Sequence, residues 1–192
     1  MRKKLKIIVG AVVLIAIVLG AILCNVFDID GIILRKIYPK KYEDYVQKYS
    51  KQNNLDAMLV YSIIKAESNF KSDAQSISGA KGLMQIMDST AKELQEKLNE
   101  DTSEEVNLFD PEKNIMYGTE YYSYLLAHYD NNIHLALAAY NAGMGNVDRW
   151  IKEGIINSDG SNIEKIPYKE TNMYVRKIIN NYEMYKRIYI AR

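Results

Sequence analysis

Apolar and polar residues follow two different patterns along the chain of 192 residues. Near the N-terminus, residues 7–24 form one run without a charged side chain, and Arg2, Lys3, Lys4 and Lys6 precede it. At about 1.5 Å per residue, a helix of this length spans roughly 27 Å, close to the roughly 30 Å of a bilayer's hydrocarbon core. This pattern predicts one transmembrane helix over residues 7–24.

The flanks of this apolar run predict its orientation. A basic cluster stays on the cytoplasmic side, so we expect residues 1–6 inside and the rest of the chain outside the cytoplasmic membrane. The run ends in Leu23-Cys24 without a small-residue cleavage site, which favours an uncleaved anchor over the alternative of a cleaved signal peptide. Residues 25–40 are predicted to be a juxtamembrane linker, and residues 41–192 the folded domain.

From residue 42 onward the apolar positions recur at spacings of three and four, the period of a helix, and no segment alternates convincingly at the period of a strand. Asp56 and Asp110-Pro111 are helix-start signals, carboxylates at the cap position and a proline in the first turn. The pattern therefore predicts an all-α domain of about 150 residues, enough for a sizeable core. The predicted helices cover 42–53, 56 to about 67, 89–98, 111–129, 133–141, 146–153 and 168–189, with polar loops at 71–81 and 154–166.

Charge and cysteine content make several classes of function improbable. The chain carries 25 Lys+Arg and 24 Asp+Glu, so no basic body suggests binding to nucleic acid. One cysteine, Cys24, allows neither an intrachain disulfide nor a cysteine-based metal cluster. His128 and His134 lack a set of partner ligands, and the glycines form no phosphate-binding loop. We therefore expect neither a metal nor another cofactor.

Glu67 occupies an unfavourable position for a negative charge. It follows Ile63 by one turn and Ile64 by three residues, near the end of the second predicted helix. Apolar neighbours and the negative end of the helix dipole both disfavour the ionised form, so both raise its pKa. A raised pKa suits a general acid that works near neutral pH, but a solvated glutamate at a frayed helix end fits the same spacing.

Four blocks of sequence, taken together, point to one family. They are Glu67–Phe70, Gly79–Met87, Ala139–Gly143 and Ile166–Thr171, with Tyr174-Val175 after the last. In this order and spacing they resemble the catalytic domain of the soluble lytic transglycosylase family, whose fold is similar to that of goose-type lysozyme. The resemblance extends from about residue 42 to about residue 189. It implies an all-α, lysozyme-like domain that cleaves the glycan strands of peptidoglycan.

The resemblance also implies roles for individual residues. Glu67 matches the family's catalytic acid and base. Positions that bind substrate are matched by Ser76, Gln85, Met87, Tyr140, Asn141 and Glu170. Several have a purely structural alternative: a loop hydroxyl for Ser76, a core side chain for Met87, and a helix cap for Asn141 or Glu170.

The chemistry implied by the resemblance needs one carboxylate. Most glycosidases use two, but neither Asp73 nor Asp88 matches a catalytic position of the family. Glu67 would protonate the β-1,4 bridging oxygen between N-acetylmuramic acid and N-acetylglucosamine, while the substrate's acetamido group stabilises the developing positive charge. Glu67 would then take the proton of the muramyl 6-hydroxyl. The product is a 1,6-anhydromuramyl end, formed without water.

Two alternatives to a lytic transglycosylase stay open at this point. A lysozyme-like hydrolase would use the same glutamate with water as the acceptor, and a non-catalytic peptidoglycan-binding scaffold would keep only the fold. The expected partners are glycan strands of peptidoglycan and, through residues 7–24, the cytoplasmic membrane. Because the predicted linker is short, action on new strands or beside a cell-wall or secretion machine is a further hypothesis.

Overall fold

The computed structural model describes residues 2, 6, 9–10, 12–18, 20 and 29–190. The predicted anchor over residues 7–24 lies partly outside these residues. Among the residues that are described, no helix is both long enough and apolar enough to cross a membrane. The chain divides into two compact units, residues 1–39 and 40–192, and this division falls one residue before the predicted start of the folded domain.

The first unit contains a helix that was not predicted, α1 (Ile29–Ile37), within the stretch expected to be a linker. Its isoleucines at positions 29, 32, 33 and 37 follow the helical spacing of three and four. Arg35 and Lys36 lie in its last turn, where a positive charge interacts favourably with the helix dipole. Within the predicted linker of residues 25–40, these nine residues are therefore helical.

The second unit is built from helices, which confirms the predicted all-α class. Its elements are α2 (Glu43–Gln52), α3 (Ala57–Glu67), α4 (Asp88–Lys97), α5 (Pro111–His128), α6 (Ile133–Ala142), α7 (Met144–Lys152), a 3-10 turn (Ile163–Lys165) and α8 (Lys169–Tyr189). No strand occurs within residues 29–190, where bridge pairing is limited to Gln75 with Lys81 and Lys81 with Ile86. Helix α7 starts two residues before its predicted start, since Gly145 continues the helix instead of ending the previous one.

Local side-chain caps explain where three of these helices begin. Asp56 accepts a hydrogen bond from the backbone N–H of Met58 at 2.7 Å and starts α3, as predicted. Asp110 accepts one from the N–H of Lys113 at 2.8 Å, and Pro111 occupies the first turn of α5. The side chain of Asn132 caps α6 in the same way. The C-terminal ends of α3 and α6 lie at the candidate site.

The core lies between α3 and the other helices, and α8 is packed along α3 in the opposite direction. Residues 58–64 of α3 are all buried. The Tyr182 hydroxyl donates to Asp56 at the start of α3 at 2.6 Å, and the Tyr61 ring stacks on the Tyr185 ring at 5.7 Å. Burying each large side chain of α3 contributes on the order of 2 kcal/mol, so this pairing fixes the far end of α3 firmly.

Helix α6 is short and almost entirely apolar, and its residues 135–139 are buried. It packs against α5, α7 and α8. Gly143 ends α6 and directly precedes α7. Its φ of +84° is a backbone conformation that glycine adopts without strain. This packing holds Tyr140 and Asn141, in the last turn of α6, at a fixed position beside the end of α3.

Candidate active site

Glu67 is the last residue of α3, and its carboxylate is held by α8. The Tyr174 hydroxyl donates to Oε1 of Glu67 at 2.5 Å. Burial raises the pKa of Glu67 from its usual 4.5 to about 7, although the Tyr174 hydrogen bond and the charge of Lys177 oppose the rise. The pKa thus shifts in the direction predicted from the apolar flank. A carboxyl with this pKa can give and take a proton near neutral pH.

Lys177 fixes the backbone at the same helix end. Its Nζ donates to the carbonyl oxygen of Ala66 at 2.7 Å. The last carbonyls of a helix lack partners within the helix, so a lysine ammonium both satisfies this one and opposes the negative end of the dipole. Since Tyr174 and Lys177 are one turn apart on α8, the same face of α8 contacts both the side chain of Glu67 and the backbone next to it.

Tyr140, on α6, also lies close to the Glu67 carboxylate. Burial, followed by the negative charge of Glu67, raises its pKa well above the usual value, so the phenol stays protonated and acts as a donor. Its hydroxyl donates to the carbonyl oxygen of Met84 at 2.8 Å. The ring is in contact with Tyr121 at 5.4 Å and Tyr122 at 6.2 Å between centroids. Hydrogen bonding and ring packing together leave Tyr140 little freedom to move.

The segment from Lys81 to Met84 is irregular, but buried side chains fix its backbone. Asn114, fully buried on α5, accepts from the N–H of Met84 at 2.7 Å and donates to the carbonyls of Lys81 and Leu108 at 2.9 Å. The Ser68 hydroxyl donates to the carbonyl of Leu83 at 2.8 Å. Backbone groups that no regular element pairs are therefore paired by side chains of neighbouring elements.

Two glycines allow this segment to approach α5 closely. Gly82 has a φ of +76°, and a Cβ there would lie 2.2 Å from the Leu108 carbonyl oxygen. On α5 itself, a Cβ at Gly118 would lie 2.4 Å from the Met84 sulfur. Any larger residue at either position would push the segment away from α5 and displace the backbone that leads to Gln85 and Met87.

Gln85 and Ser76 use their side chains within the loop. Gln85 has a left-handed φ of 51°, and its Nε2 donates to the carbonyls of Ala74 at 3.1 Å and Gly82 at 2.9 Å. The Ser76 hydroxyl accepts from the N–H of Ala80 at 3.0 Å. For Ser76 this contact matches the structural alternative considered from the sequence. Gln85 combines a structural role with a place in the cleft described next.

Two adjoining clefts bring most of the predicted substrate-binding residues together. The first, of about 260 Å³, is lined by Gln85, Met87, Thr90, Tyr121, Tyr140 and Asn141, among others. The second, of about 430 Å³, contains Asn141, Tyr168 and Glu170. Both include Asn141 and Ala142, so they form one continuous groove that passes Tyr140. Ser76 lines neither cleft.

The remaining predicted residues differ in how the structure uses them. Met87 is 39% exposed, so the alternative that it is a core side chain is wrong. The side-chain amide oxygen of Asn141 accepts from the Thr171 hydroxyl at 2.8 Å, which joins α6 to α8 at the second cleft. Glu170 is exposed in the first turn of α8, and Tyr168, the residue before that helix, makes no side-chain capping bond. Glu170 is thus available to a ligand in the second cleft.

Sequence reasoning did not identify Tyr174, Lys177 and Asn114 as parts of the site. Tyr174 follows the last of the four sequence blocks, but its contact with Glu67 joins residues 107 positions apart. The spacing of three between Tyr174 and Lys177 indicates a shared helix face, though not what that face touches. Asn114 is a polar residue at a core position of α5, which is a signal for a buried hydrogen-bonding role.

Comparison with known proteins agrees with this geometry. The model of the transglycosylase SLT domain family matches residues 44–159. The soluble lytic murein transglycosylase of Escherichia coli is 33% identical over 160 residues, which are 82% of this chain and 25% of that protein. The membrane-bound lytic murein transglycosylase C of Edwardsiella ictaluri is 35% identical over 169 residues, 77% of this chain and 47% of that protein.

The fold comparison gives the same result. An inactive mutant of the lytic transglycosylase Slt from Pseudomonas aeruginosa superimposes with a TM-score of 0.73 at 34% identity, over 80% of this chain and 25% of that one. The chain therefore spans between about a quarter and about half of the length of these relatives. The helical architecture is that of their lysozyme-like domain, and the family model covers more than half of the sequence. This chain belongs to the transglycosylase SLT domain family.

Proposed function

We propose that the domain is a peptidoglycan lytic transglycosylase and that Glu67 acts first as its acid and then as its base. The observation that carries this proposal is the state of Glu67. Its carboxyl lies at a helix end in contact with Tyr174, and burial raises its pKa to about 7. One group that performs two opposite proton transfers needs a pKa between the two tasks.

In the first step, Glu67 in its protonated form gives its proton to the oxygen that bridges N-acetylmuramic acid and N-acetylglucosamine. The bond from that oxygen to the muramyl anomeric carbon breaks as the proton arrives. Positive charge then develops on the sugar, where the substrate's own acetamido group stabilises it. The newly formed Glu67 carboxylate is stabilised by the hydrogen bond from Tyr174 and by the nearby charge of Lys177.

In the second step, the Glu67 carboxylate takes the proton of the muramyl 6-hydroxyl, whose oxygen bonds to the anomeric carbon. The product is a 1,6-anhydro ring, and the enzyme returns to its protonated form without consuming water. The neutral phenol of Tyr140, near Glu67, adds no negative charge to the site at neutral pH. Burial of the Glu67 carboxyl limits the access of water to it, which favours capture by the sugar's own hydroxyl over capture by water.

The groove supports a long polymeric substrate. It runs from Met87 past Tyr140 to Glu170, and aromatic and amide side chains line it, of which Tyr168 and Asn141 are exposed. Flat tyrosine rings suit the apolar faces of sugar rings, and amides such as Asn141 suit their hydroxyl and acetamido groups. The relatives are named murein transglycosylases, which supports peptidoglycan glycan strands as the polymer.

The test is mass spectrometry of the muropeptides released by the full chain in detergent and by its Glu67→Gln variant. We expect anhydromuropeptides from the wild type and a loss of at least about 100-fold in the variant, the contribution typical of a general acid. Glu153→Gln, at an exposed position after α7, is the control and should retain full activity. Reducing-end products would identify a hydrolase instead. If the folded wild-type protein releases no product, the result would favour a non-catalytic scaffold.

We further propose that residues 7–24 anchor the enzyme in the cytoplasmic membrane, with residues 1–6 inside and the domain outside. The apolar run and the basic cluster before it support this topology, and a relative is named as membrane-bound. The enzyme would then act close to the membrane, on new strands or beside a cell-wall machine. Cell fractionation tests the anchor. Protein with the mass of the full chain should remain in washed membranes. A shortened form in the soluble fraction would contradict the proposed anchor.

A further inference from the structure

Three exposed isoleucines form an apolar face on α1, the helix of the first unit. Ile32, Ile33 and Ile37 are 60%, 50% and 50% exposed. At 3.6 residues per turn, they lie within about 140° of the helix circumference. A single exposed isoleucine needs no explanation, but three on one face of a nine-residue helix form a continuous patch. Such a patch is typical of a surface that something else covers.

A lysine in the middle of this face indicates what covers it. Lys36 is exposed and lies between Ile32 and Ile33 around the helix. A protein that covered the isoleucines would also bury the Lys36 ammonium, which is costly unless a carboxylate pairs with it. A lipid surface avoids this cost, because the lysine stem lies along the apolar region while the ammonium reaches the headgroups. The mixed face therefore suits a membrane surface better than another protein.

The charge of α1 also suits a membrane surface. Arg35 and Lys36 lie in its last turn, and Asp30 is the one acidic residue in its sequence. Lys41, four residues after the helix, is exposed. Amphipathic helices with basic residues bind at the boundary between headgroups and acyl chains, where attraction to anionic lipids adds to the burial of the apolar face. The partner that fits this helix is thus a membrane surface with anionic headgroups.

The position of α1 in the sequence keeps it near a membrane. Residues 25–28 alone separate it from the apolar run over residues 7–24, which is proposed as the anchor. The five steps from residue 24 to residue 29 span at most roughly 18 Å when fully extended. An anchored chain therefore holds the apolar face of α1 close to the headgroups, where its effective concentration at the lipid surface is high.

We propose that α1 lies along the outer surface of the cytoplasmic membrane, an inference that rests on the proposed anchor. Its isoleucines insert among the outer ends of the acyl chains, about 5–10 Å into the boundary with the headgroups, and its basic groups contact anionic headgroups. Nine residues of the predicted linker then lie on the membrane. Residues 38–42 are left to connect the membrane to α2, which shortens the reach of the enzyme into the wall.

Quenching of fluorescence by brominated lipids tests this placement in the full chain, held in lipid nanodiscs. Cys24, the one cysteine of the chain, is replaced by serine, and Ile15→Cys, Ile33→Cys or Ile77→Cys then carries a polarity-sensitive fluorophore. Lipids brominated close to the headgroups should quench the label at residue 33 at least about twofold. Lipids brominated deep in the bilayer should quench the label at residue 15 most. Residue 77, exposed in the loop after α3, is the control and should be quenched by neither.

Two further changes separate the apolar and electrostatic parts of the contact. With the label at residue 33, replacement of Ile32 and Ile37 by serine should reduce the quenching by shallow bromines. Phe109→Ser, at an exposed apolar position of the second unit, is the matched control and should leave the quenching unchanged. Nanodiscs of phosphatidylcholine in place of phosphatidylglycerol should also reduce it, because the basic groups then lose their anionic partners.

Three results for the label at residue 33 would overturn the proposal. No quenching together with a blue-shifted emission would mean that protein, of this chain or of a second copy, covers the face. No quenching and no shift would mean that water covers it. Quenching that is strongest with deep bromines would mean that α1 continues into the bilayer.

The label at residue 15 separates failure of this inference from failure of the anchor. If it is quenched by deep bromines and the label at residue 33 is not quenched, the surface helix is wrong and the anchor stands. If neither label is quenched, the anchor is wrong and the inference fails with it. The release of anhydromuropeptides plays no part in this measurement, so its outcome is independent of the proposed catalytic activity.

Discussion

Two irregular segments of similar length differ sharply in how they are held. The first loop, residues 68–87, joins α3 to α4, and the second loop, residues 153–168, joins α7 to α8. The first loop buries Ser68, Phe70, Leu83, Met84 and Ile86, whereas only two residues of the second loop are buried, at positions 156 and 166. Side chains from α5 and α6 bond to the first loop's backbone.

The second loop is bonded mostly to itself. Asn157 donates to the Ser161 hydroxyl at 2.7 Å, and the Ser161 N–H donates to Asp159 at 2.8 Å. Its bonds to other elements are few, such as the one from Asn132 to the carbonyl of Asp159 at 2.7 Å. Only its last residue, Tyr168, lines a cleft of the groove, and residues 153–167 line neither. Irregular backbone is thus fixed by buried partners where it must present Gln85 and Met87, and left near the solvent where it only connects helices.

The largest test of this difference is removal of the Asn114 side chain. Asn114→Ala leaves three backbone groups without their partner: the N–H of Met84 and the carbonyls of Lys81 and Leu108. We therefore expect a loss of about 4 kcal/mol in the free energy of unfolding. Asn157→Ala in the second loop should cost less than about 0.5 kcal/mol, because its bonds are exposed. Urea denaturation measures both, and equal losses would contradict the distinction between the loops.

Glu67, directly before the first loop, should weaken the fold as the pH rises. Its pKa is raised in the folded state, so between about 4.5 and about 7 the folded protein binds more protons than the unfolded chain and stability falls. The full penalty, at most about 3 kcal/mol, applies above pH 7. Glu67→Gln removes it. In urea denaturation, the variant should be more stable than the wild type at pH 8 and equal to it at pH 4. A difference in stability that stays constant across this range would show that ionisation of Glu67 is not its cause.

Two buried tyrosines sharpen the comparison through their hydroxyls. Tyr140→Phe removes the bond to the first loop's Met84 carbonyl, so it should cost about 1 kcal/mol and lower kcat. The Tyr122 hydroxyl is buried without a hydrogen-bond partner in the described part of the chain. Tyr122→Phe should therefore leave stability unchanged or slightly increased. Thermal unfolding of the two variants measures the contrast, and a larger loss for Tyr122→Phe would refute it.

A small effect on stability is expected for Lys177, which holds the end of α3. Lys177→Met removes an exposed hydrogen bond to the Ala66 carbonyl and should cost under about 1 kcal/mol. Its charge lowers the pKa of Glu67, so the variant's Glu67 should stay protonated to higher pH. The alkaline limb of the profile of kcat/KM against pH should move upward. Lys186→Met, farther along α8, is the control, and a profile unchanged in the Lys177 variant would exclude this role.

The parts of the fold that were predictable from the sequence are those set by local interactions. The caps at Asp56 and Asp110 act on backbone groups two and three residues away, so their pattern is visible in the sequence. Helix α1 follows the helical spacing too, although it lies within residues 25–40, which were predicted to be a linker. Helix α7 was predicted to begin only after Gly145, but it includes this residue, since a glycine inside a helix costs only about 1 kcal/mol.

The candidate site was less predictable because distant residues build it. Composition and spacing singled out Glu67, while the groove positions came from the resemblance to a family. The catalytic and binding roles of all these residues are still predictions. Ser76 is placed in a turn outside both clefts, which its spacing from Glu67 could not indicate. The contacts of Asn114 and Tyr174 depend on which helices pack together, and no local pattern encodes that choice.

The contact between Tyr174 and Glu67 has a consequence for the order in which the enzyme matures. The carboxyl lies in the first half of the chain, but the hydroxyl and the ammonium that control it belong to the last helix, more than 100 residues later. Closing a loop of that length is among the slower events of folding, and a ribosome releases α8 well after α3. A chain stalled before residue 169 would carry every sequence block up to Ala139–Gly143 and yet, we expect, cleave nothing. Translation itself then delays the proposed activity until α8 has been made and has packed against α3.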